Sequence, residues 1–126
     1  RPKCPEHNIP VESQTPKQIV DAVMALPKGT KFFVLAPMAQ DQKGEFLADF
    51  QKWLRKGILR AKIDGKWVEL EKAKKLAKHK RHDIDLLIDR LKVDEKFRSR
   101  LAESIDVSWS MTKGVGKVAV VVEEAI

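Results

Sequence analysis

The sequence lacks several features that would point to particular classes of protein. It has one cysteine, Cys4, and no tyrosine, so no disulfide can form within the chain and a reducing cytoplasm is the expected compartment. Its longest purely apolar run, residues 118–122, is far shorter than the ~20 residues of a membrane-spanning helix. The polar, proline-rich start is not typical of a signal peptide. The chain also begins without methionine, and we therefore expect it to be a segment of a longer protein.

Composition and charge limit the choice of class. With 126 residues, 43% hydrophobic and 34% charged, the chain is expected to form one soluble domain with a modest core. The formal net charge of +7 favours a polyanion or an acidic protein as partner. Charge by itself does not choose between these two partners.

Three stretches have the periodicity of amphipathic helices, and an extended lead-in is expected over residues 1–14. The sequence "TPKQ" predicts a capping box at Thr15 and a helix that ends at Pro27. A second helix is predicted over residues 43–57, with Gly57 as its left-handed cap. A third is predicted to begin after the cap Asp94. We take residues 15–126 as the domain.

The strongest local signal is the β-hairpin predicted over residues 58–70. Asp64-Gly65 between two alternating strands is typical of a type I′ turn. In that register Ala61 faces Val68 and Leu59 faces Leu70, and this side is predicted to line the core. The opposite side pairs Arg60 with Glu69 and Lys62 with Trp67, and it is predicted to face water or a partner.

Residues 82–93 alternate with period two and predict a long strand. Their apolar side changes parity near Asp89, as expected for a strand that crosses between packing layers or contains a bulge. Short buried strands are predicted over residues 31–36, ending before Pro37, and over residues 117–124. The predicted fold class is α/β (α+β mixed), a single domain with a mixed sheet, a β-hairpin and about three helices.

The acidic residues of the long strand raise the question of a metal site. Asp83, Asp85 and Asp89 beside His82 could hold a divalent cation for phosphodiester cleavage. At about 3.3 Å per residue, however, only Asp83 and Asp85 are close enough to share an ion. A solvated strand face explains these residues at least as simply, and His79 and His82 are expected to face solvent.

Two further motifs are incomplete. "KGVGK" at residues 113–117 lacks the first glycine and the final Ser/Thr of a phosphate-binding loop, so no nucleotide site is predicted. Cys4 and His7 have the spacing of half a zinc site, but the chain supplies no second pair of ligands. No catalytic residue is predicted.

Five segments occur in an order that resembles the UvrB-binding domain of UvrA, the damage-scanning ATPase of bacterial nucleotide excision repair. They are "CPEHNIPVESQTPKQIVDAV", "FFVLAPMAQDQKGEF", "ILRAKIDGKWVEL", "KHKRHDIDLLIDRLKV" and "RLAESI". The resemblance implies a non-catalytic domain that docks UvrB and the transcription-repair coupling factor. It also implies that DNA is bound only by the longer protein, that no membrane is involved, and that ATP, and any zinc, belong to that longer protein and not to this segment.

The sequence departs from the family pattern at two positions. His7 stands where relatives often have the second cysteine of C-P-x-C, and Lys62 replaces the second arginine of a hairpin R-x-R-x-D-G. Lysine keeps the charge but not the bidentate fork, so one contact is expected to be weaker. The alternative hypothesis is an accessory DNA-binding domain that uses the basic run Lys72–Arg81. The residues expected to bind the partner are Lys43, Glu45, Arg60, Lys62, Trp67, Glu69, Asp83, Asp85 and Arg90.

Overall fold

The computed structural model describes residues 15–112 and 118–123. Within these ranges the elements are α1 (Pro16–Met24), β1 (Lys31–Lys43), α2 (Leu47–Arg55), β2 (Arg60–Ile63), β3 (Lys66–Glu69), β4 (Arg81–Lys92), α3 (Arg98–Met111) and β5 (Ala119–Val122), with 3₁₀ turns at Leu70–Lys72 and Glu95–Phe97. The five strands described form one antiparallel sheet in the order β3-β2-β4-β1-β5, and the three α-helices accompany it. The α/β class, the hairpin and the three predicted helices are therefore confirmed.

Helix α1 begins as its sequence predicts. The Thr15 hydroxyl accepts from the Gln18 backbone N–H at 3.2 Å, and the Gln18 side chain accepts from the Thr15 N–H at 2.9 Å. These reciprocal bonds satisfy two donors that would otherwise be unpaired at the start of the helix. The capping box therefore fixes the first turn of α1.

The chain forms two compact units, of which the first comprises the described residues of Arg1–Ala36 and Ile88–Ile126. In this unit α1 packs against α3. Alternate residues of β1, such as Phe32 and Val34, are buried with them, as expected for a strand with one face toward a core. The buried cluster consists of Ile19, Val20, Val23, Phe32, Val34, Leu91, Val93, Leu101, Ile105, Val118 and Val120.

The second unit, Pro37–Leu87, contains the hairpin. The observed register pairs Ala61 with Val68 and Lys62 with Trp67, as predicted. Asp64 and Gly65 have φ of 51° and 86°, the positive values that a type I′ turn requires. The prediction for Leu59 is wrong, since its side chain is 67% exposed. Leu59 lies before the first residue of β2, and Ile58, next to the end of α2, is buried instead.

Strand β1 is longer than predicted, because it continues through Pro37 to Lys43. Among the described residues its register with β5 covers only Phe32 to Leu35. Pro37 therefore lies beyond the part of β1 that is seen to pair on that side, where a residue without an N–H is tolerated. Proline is a weaker stop signal for a strand than for a helix.

Strand β4 changes its buried parity as predicted. His82, Ile84 and Leu86 are buried in its first half, whereas Leu91 is buried near its end. The change falls where the chain passes from the second unit to the first, after Leu87. One strand thus supplies apolar side chains to the cores of both units.

The segment before α3 and the closing strand also follow the sequence pattern. Asp94 accepts from the Lys96 N–H at 3.1 Å and caps the 3₁₀ turn that precedes α3, and the predicted closing strand is confirmed as β5. The lead-in, with Cys4 and His7, and the "KGVGK" turn lie outside the described residues. None of the helices in the described ranges combines the length and apolar character that a membrane-spanning segment needs.

Candidate functional site

The hairpin and the first half of β4 carry a charged surface, which we call the outer hairpin face: Arg60, Lys62, Trp67, Glu69 and Asp85. The register places Lys62 opposite Trp67 on one side and opposite Asp85 on the other. Arg60 lies opposite Glu69 in the adjacent row. Because side chains alternate along a strand, these residues point away from the buried side of the same strands. That buried side consists of Ala61, Ile63, Ile84 and Leu86.

The outer hairpin face is accessible. Arg60, Trp67 and Glu69 are exposed, and Lys62 and Asp85 are half-buried. Trp67 is 44% exposed and lies on β3, which is an edge strand of the sheet. Strand β3 is short and carries Lys66 and Glu69, which is typical of edges that do not pair with other sheets. A partner is therefore expected to contact the side chains of this surface.

The Asp85 carboxylate of the outer hairpin face is partly buried. Burial raises the pKa of Asp85, the nearby Lys62 opposes this effect, and the negative charge of Asp83 adds to it. Within the described ranges the Asp85 carboxylate makes no hydrogen bond and no salt bridge. A partly desolvated carboxylate without a donor gains free energy when a cationic group reaches it.

Asp83 is also exposed, but its carboxylate has a local role. Its Oδ1 accepts from the Asp41 N–H at 2.7 Å, and Arg81 donates to the Asp41 carbonyl at 3.0 Å. Asp41 has a φ of 56°, a conformation that a non-glycine residue rarely adopts. Asp83 and Arg81 therefore stabilise this strained position near the end of β1.

Lys43 and Glu45 flank the turn between β1 and α2. Lys43 is the exposed last residue of β1, and Glu45 is half-buried. The Glu45 carbonyl accepts from the Leu76 N–H at 2.9 Å and so attaches the lysine-rich segment to this turn. Neither residue belongs to the rows of paired residues on the hairpin and β4.

Arg90 belongs to the first unit and is already paired there. Its Nε and Nη2 donate to the two Glu123 carboxylate oxygens at 3.0 and 2.6 Å. Its guanidinium lies 5.7 Å from the centre of the Phe33 ring. The hydrogen bonds to Glu123 raise the pKa of Arg90. Arg90 is thus not part of the outer hairpin face with which the sequence grouped it.

The expectation that His82 faces solvent is wrong, because its side chain is 6% exposed. Its Nδ1 lies 2.7 Å from Asp64 Oδ2 and its Nε2 2.8 Å from the Ala77 carbonyl. The Ala77 bond chiefly raises the pKa of His82, and Asp64 adds to it. Burial alone would raise the pKa of Asp64, but hydrogen bonds from His82 and the Asp83 N–H lower it. His82 shares the parity of Ile84, and this signal could have predicted its burial.

The acidic residues of β4 do not form a metal site among the residues that the structure describes. The Asp89 carboxylate accepts two bonds from Arg100, at 3.0 and 2.7 Å, and one from the Ser104 hydroxyl at 2.6 Å. Asp89 therefore serves the packing of α3 against β4 and is not solvated. The half-site of Cys4 and His7 lies outside the described ranges.

The fold and this surface define an α/β domain that exposes a charged face of a β-hairpin. The sequence model of the family described as the UvrA interaction domain matches residues 14–122, and the chain belongs to this family.

The chain is similar to three proteins, each called UvrABC system protein A. It is 47% identical to that of Pseudomonas aeruginosa and 43% identical to that of Pseudomonas putida, in each case over 94% of the chain. It is 39% identical to that of Vibrio cholerae, again over 94% of the chain. The aligned region covers 12% or 13% of these relatives, so the chain corresponds to a small part of their length.

Proposed function

We propose that the chain is a non-catalytic docking domain of UvrA and that its outer hairpin face binds UvrB. The transcription-repair coupling factor is proposed to use the same surface. The role would be to bring these partners to UvrA during nucleotide excision repair in the cytoplasm. The observation that carries the proposal is the accessible row Trp67–Lys62–Asp85, with a partly desolvated carboxylate at its end.

The chemistry of the surface favours a reversible protein contact. Charges of both signs lie next to one another, so a partner must present the complementary pattern to bind in one register. Trp67 supplies the kind of large, partly exposed aromatic side chain that anchors protein interfaces. Interfaces dominated by exposed charges associate fast and weaken with added salt. A domain that delivers a partner and then releases it needs these properties.

Charge reversal tests the proposal. The double variant R60E/K62E is expected to weaken binding of purified UvrB at least about tenfold, or about 1.4 kcal/mol. Isothermal titration calorimetry at two salt concentrations measures the change. The matched control, K74E/K75E, alters the same number of charges in the lysine-rich segment of the same unit and should leave UvrB binding within about twofold. Unchanged affinity of a folded R60E/K62E variant would remove the hairpin from the docking site.

The lysine-rich segment Lys72–Arg81 supports a second candidate function, the binding of DNA. Its two end residues form salt bridges, Lys72 with Glu69 and Arg81 with Asp41. Four lysines between them are exposed and make no salt bridge within the described part of the chain: Lys74, Lys75, Lys78 and Lys80. A duplex titration that shows a steep dependence on salt, lost in K74E/K75E, would support this function.

The proposal assigns no cofactor to the described residues. We propose that ATP is bound elsewhere in the longer protein and that any zinc held by Cys4 and His7 takes its remaining ligands from there. Metal analysis of the purified chain and of full-length UvrA tests this assignment. Stoichiometric zinc in the isolated chain would contradict it.

A further inference from the structure

A cleft in the first unit is lined by basic residues that the docking surface does not use. Its volume is about 400 Å³, and it is lined by Lys31, Arg90, Leu91, Lys92, Phe97 and Arg100. Four of these six residues carry a positive charge and none carries a negative one. A volume of this size is typical of a small-ligand site.

The two lysines lie at the ends of neighbouring strands. The Val93 N–H donates to the Thr30 carbonyl at 2.8 Å, so Lys31 on β1 and Lys92 on β4 lie across from each other. Both side chains are exposed, and neither ammonium group makes a hydrogen bond or salt bridge with another residue in the described ranges. Lys31 lies near enough to Glu123 to help lower the pKa of that carboxyl, but neither lysine is paired directly with a carboxylate in the described ranges, and two such lysines on neighbouring strands favour an anion.

The two arginines of the cleft already bind carboxylates of the chain, and this limits the hydrogen bonds that they can offer to an added anion. Arg90 uses its Nε and Nη2 on Glu123, and Arg100 uses its Nε and Nη2 on Asp89. One edge of each guanidinium, formed by Nε and Nη2, is therefore already bound to a carboxylate. The Nη1 groups of both arginines make no hydrogen bond within the described ranges, and both residues line the cleft together with the two lysines.

We propose that this cleft binds a phosphate of single-stranded nucleic acid. A phosphodiester accepts from separate single donors, and lysine binds phosphate as a point charge without a fixed geometry. The half-buried Phe97 and the buried Leu91 supply an apolar wall against which a sugar or base can pack. The carboxylate side chains of an acidic peptide would bring no comparable ring to this apolar wall.

The test uses the 126-residue chain and a fluorescein-labelled single-stranded oligothymidylate, with binding measured by anisotropy over a series of salt concentrations. The double variant K31A/K92A is expected to weaken binding and to lower the slope of log K against log salt by about 1.4, about 0.7 for each lost phosphate contact. The matched control K52A/K56A removes two exposed lysines at the end of α2, in the second unit, and should keep the slope. Circular dichroism checks that both variants are folded.

Three outcomes would overturn the proposal. Equal losses in K31A/K92A and K52A/K56A would show attraction by net charge alone. Binding that is unchanged in K31A/K92A would exclude the cleft. A polyglutamate peptide that displaces the oligonucleotide at equal concentration, and loses affinity in K31A/K92A, would make the ligand an acidic protein segment. None of these results depends on whether UvrB docks at the hairpin.

Discussion

Replacement of His82 by phenylalanine should destabilise the domain, and the loss should depend on pH. Both ring nitrogens lie within hydrogen-bond distance of acceptors, Asp64 Oδ2 at 2.7 Å and the Ala77 carbonyl at 2.8 Å. Both bonds exist together only when both nitrogens carry protons, so the geometry fits the imidazolium form. Phenylalanine keeps a ring of similar size beside Phe46, whose ring centre lies 6.3 Å away, but it donates neither bond.

The expected magnitude follows from the two bonds. A bond between charged groups contributes about 1.5–3 kcal/mol, and the lower end applies here because the Asp64 side chain is 44% exposed. The bond to the Ala77 carbonyl adds about 0.5–1 kcal/mol. After replacement, Asp64 still accepts from the Asp83 N–H and can be hydrated. We therefore expect H82F to lower the free energy of unfolding by about 2 kcal/mol near pH 6.

The pH dependence has a defined direction. The pKa of His82 is raised above its ordinary value of 6.5, so its contribution is complete below that pH and is lost as pH rises through the folded-state pKa. The nearby Lys80 opposes this increase. The pKa of Asp64 is lowered from 3.8, so its contribution is lost only in acid. The difference between wild type and H82F should therefore shrink between about pH 6 and pH 9.

Urea unfolding of wild type and H82F at both pH values measures this difference. The control is D64N, which keeps an oxygen for the Asp83 N–H and tolerates the positive φ of the turn but removes the charge. In the D64N background the effect of H82F should be smaller and should depend less on pH. An equal loss at both pH values, or no loss at all, would refute the argument.

Two further predictions concern single positions. D89N should lower the free energy of unfolding by about 1–3 kcal/mol at neutral pH, because the 14% exposed carboxylate pairs with Arg100. Burial alone would raise the pKa of Asp89, but Arg100 and Ser104 lower it. The stability difference between wild type and D89N should therefore vanish as pH falls through that pKa. A difference in urea unfolding near pH 3 equal to that at neutral pH would contradict this. G65A should cost roughly 1–2 kcal/mol, because Gly65 has a φ of 86° while a Cβ there would contact nothing within 4 Å. A midpoint of thermal unfolding equal to that of wild type would show that the turn changes conformation.

The features that the sequence predicts correctly depend on neighbours along the chain. The hairpin register follows from Asp64-Gly65, because a two-residue turn of this type fixes which residues pair. The capping box at Thr15 likewise needs only Gln18. The outer hairpin face could therefore be assembled from the sequence, apart from the pairing of Lys62 with Asp85 across β2 and β4.

The features that the sequence missed depend on residues far apart in the chain. The parity that His82 shares with Ile84 indicates burial, but no periodicity identifies Asp64, 18 positions away, as the residue that accepts its hydrogen bond. The sequence predicts a solvated Asp89, but Arg100 and Ser104 of another element, α3, donate hydrogen bonds to its carboxylate. Arg90 is expected from the sequence to share a surface with Asp85, but the two residues are an odd number of positions apart and so point to opposite sides of β4.

If UvrB binds the outer hairpin face, the complex shields that surface, and amide hydrogen exchange of the chain with and without UvrB detects the shielding. We expect UvrB to slow exchange in Arg60–Glu69 and in residues 83–87 at low salt, and this effect should fade as salt is added. Slower exchange confined to the lysine-rich segment Lys72–Arg81, or no change anywhere at saturating UvrB, would contradict it.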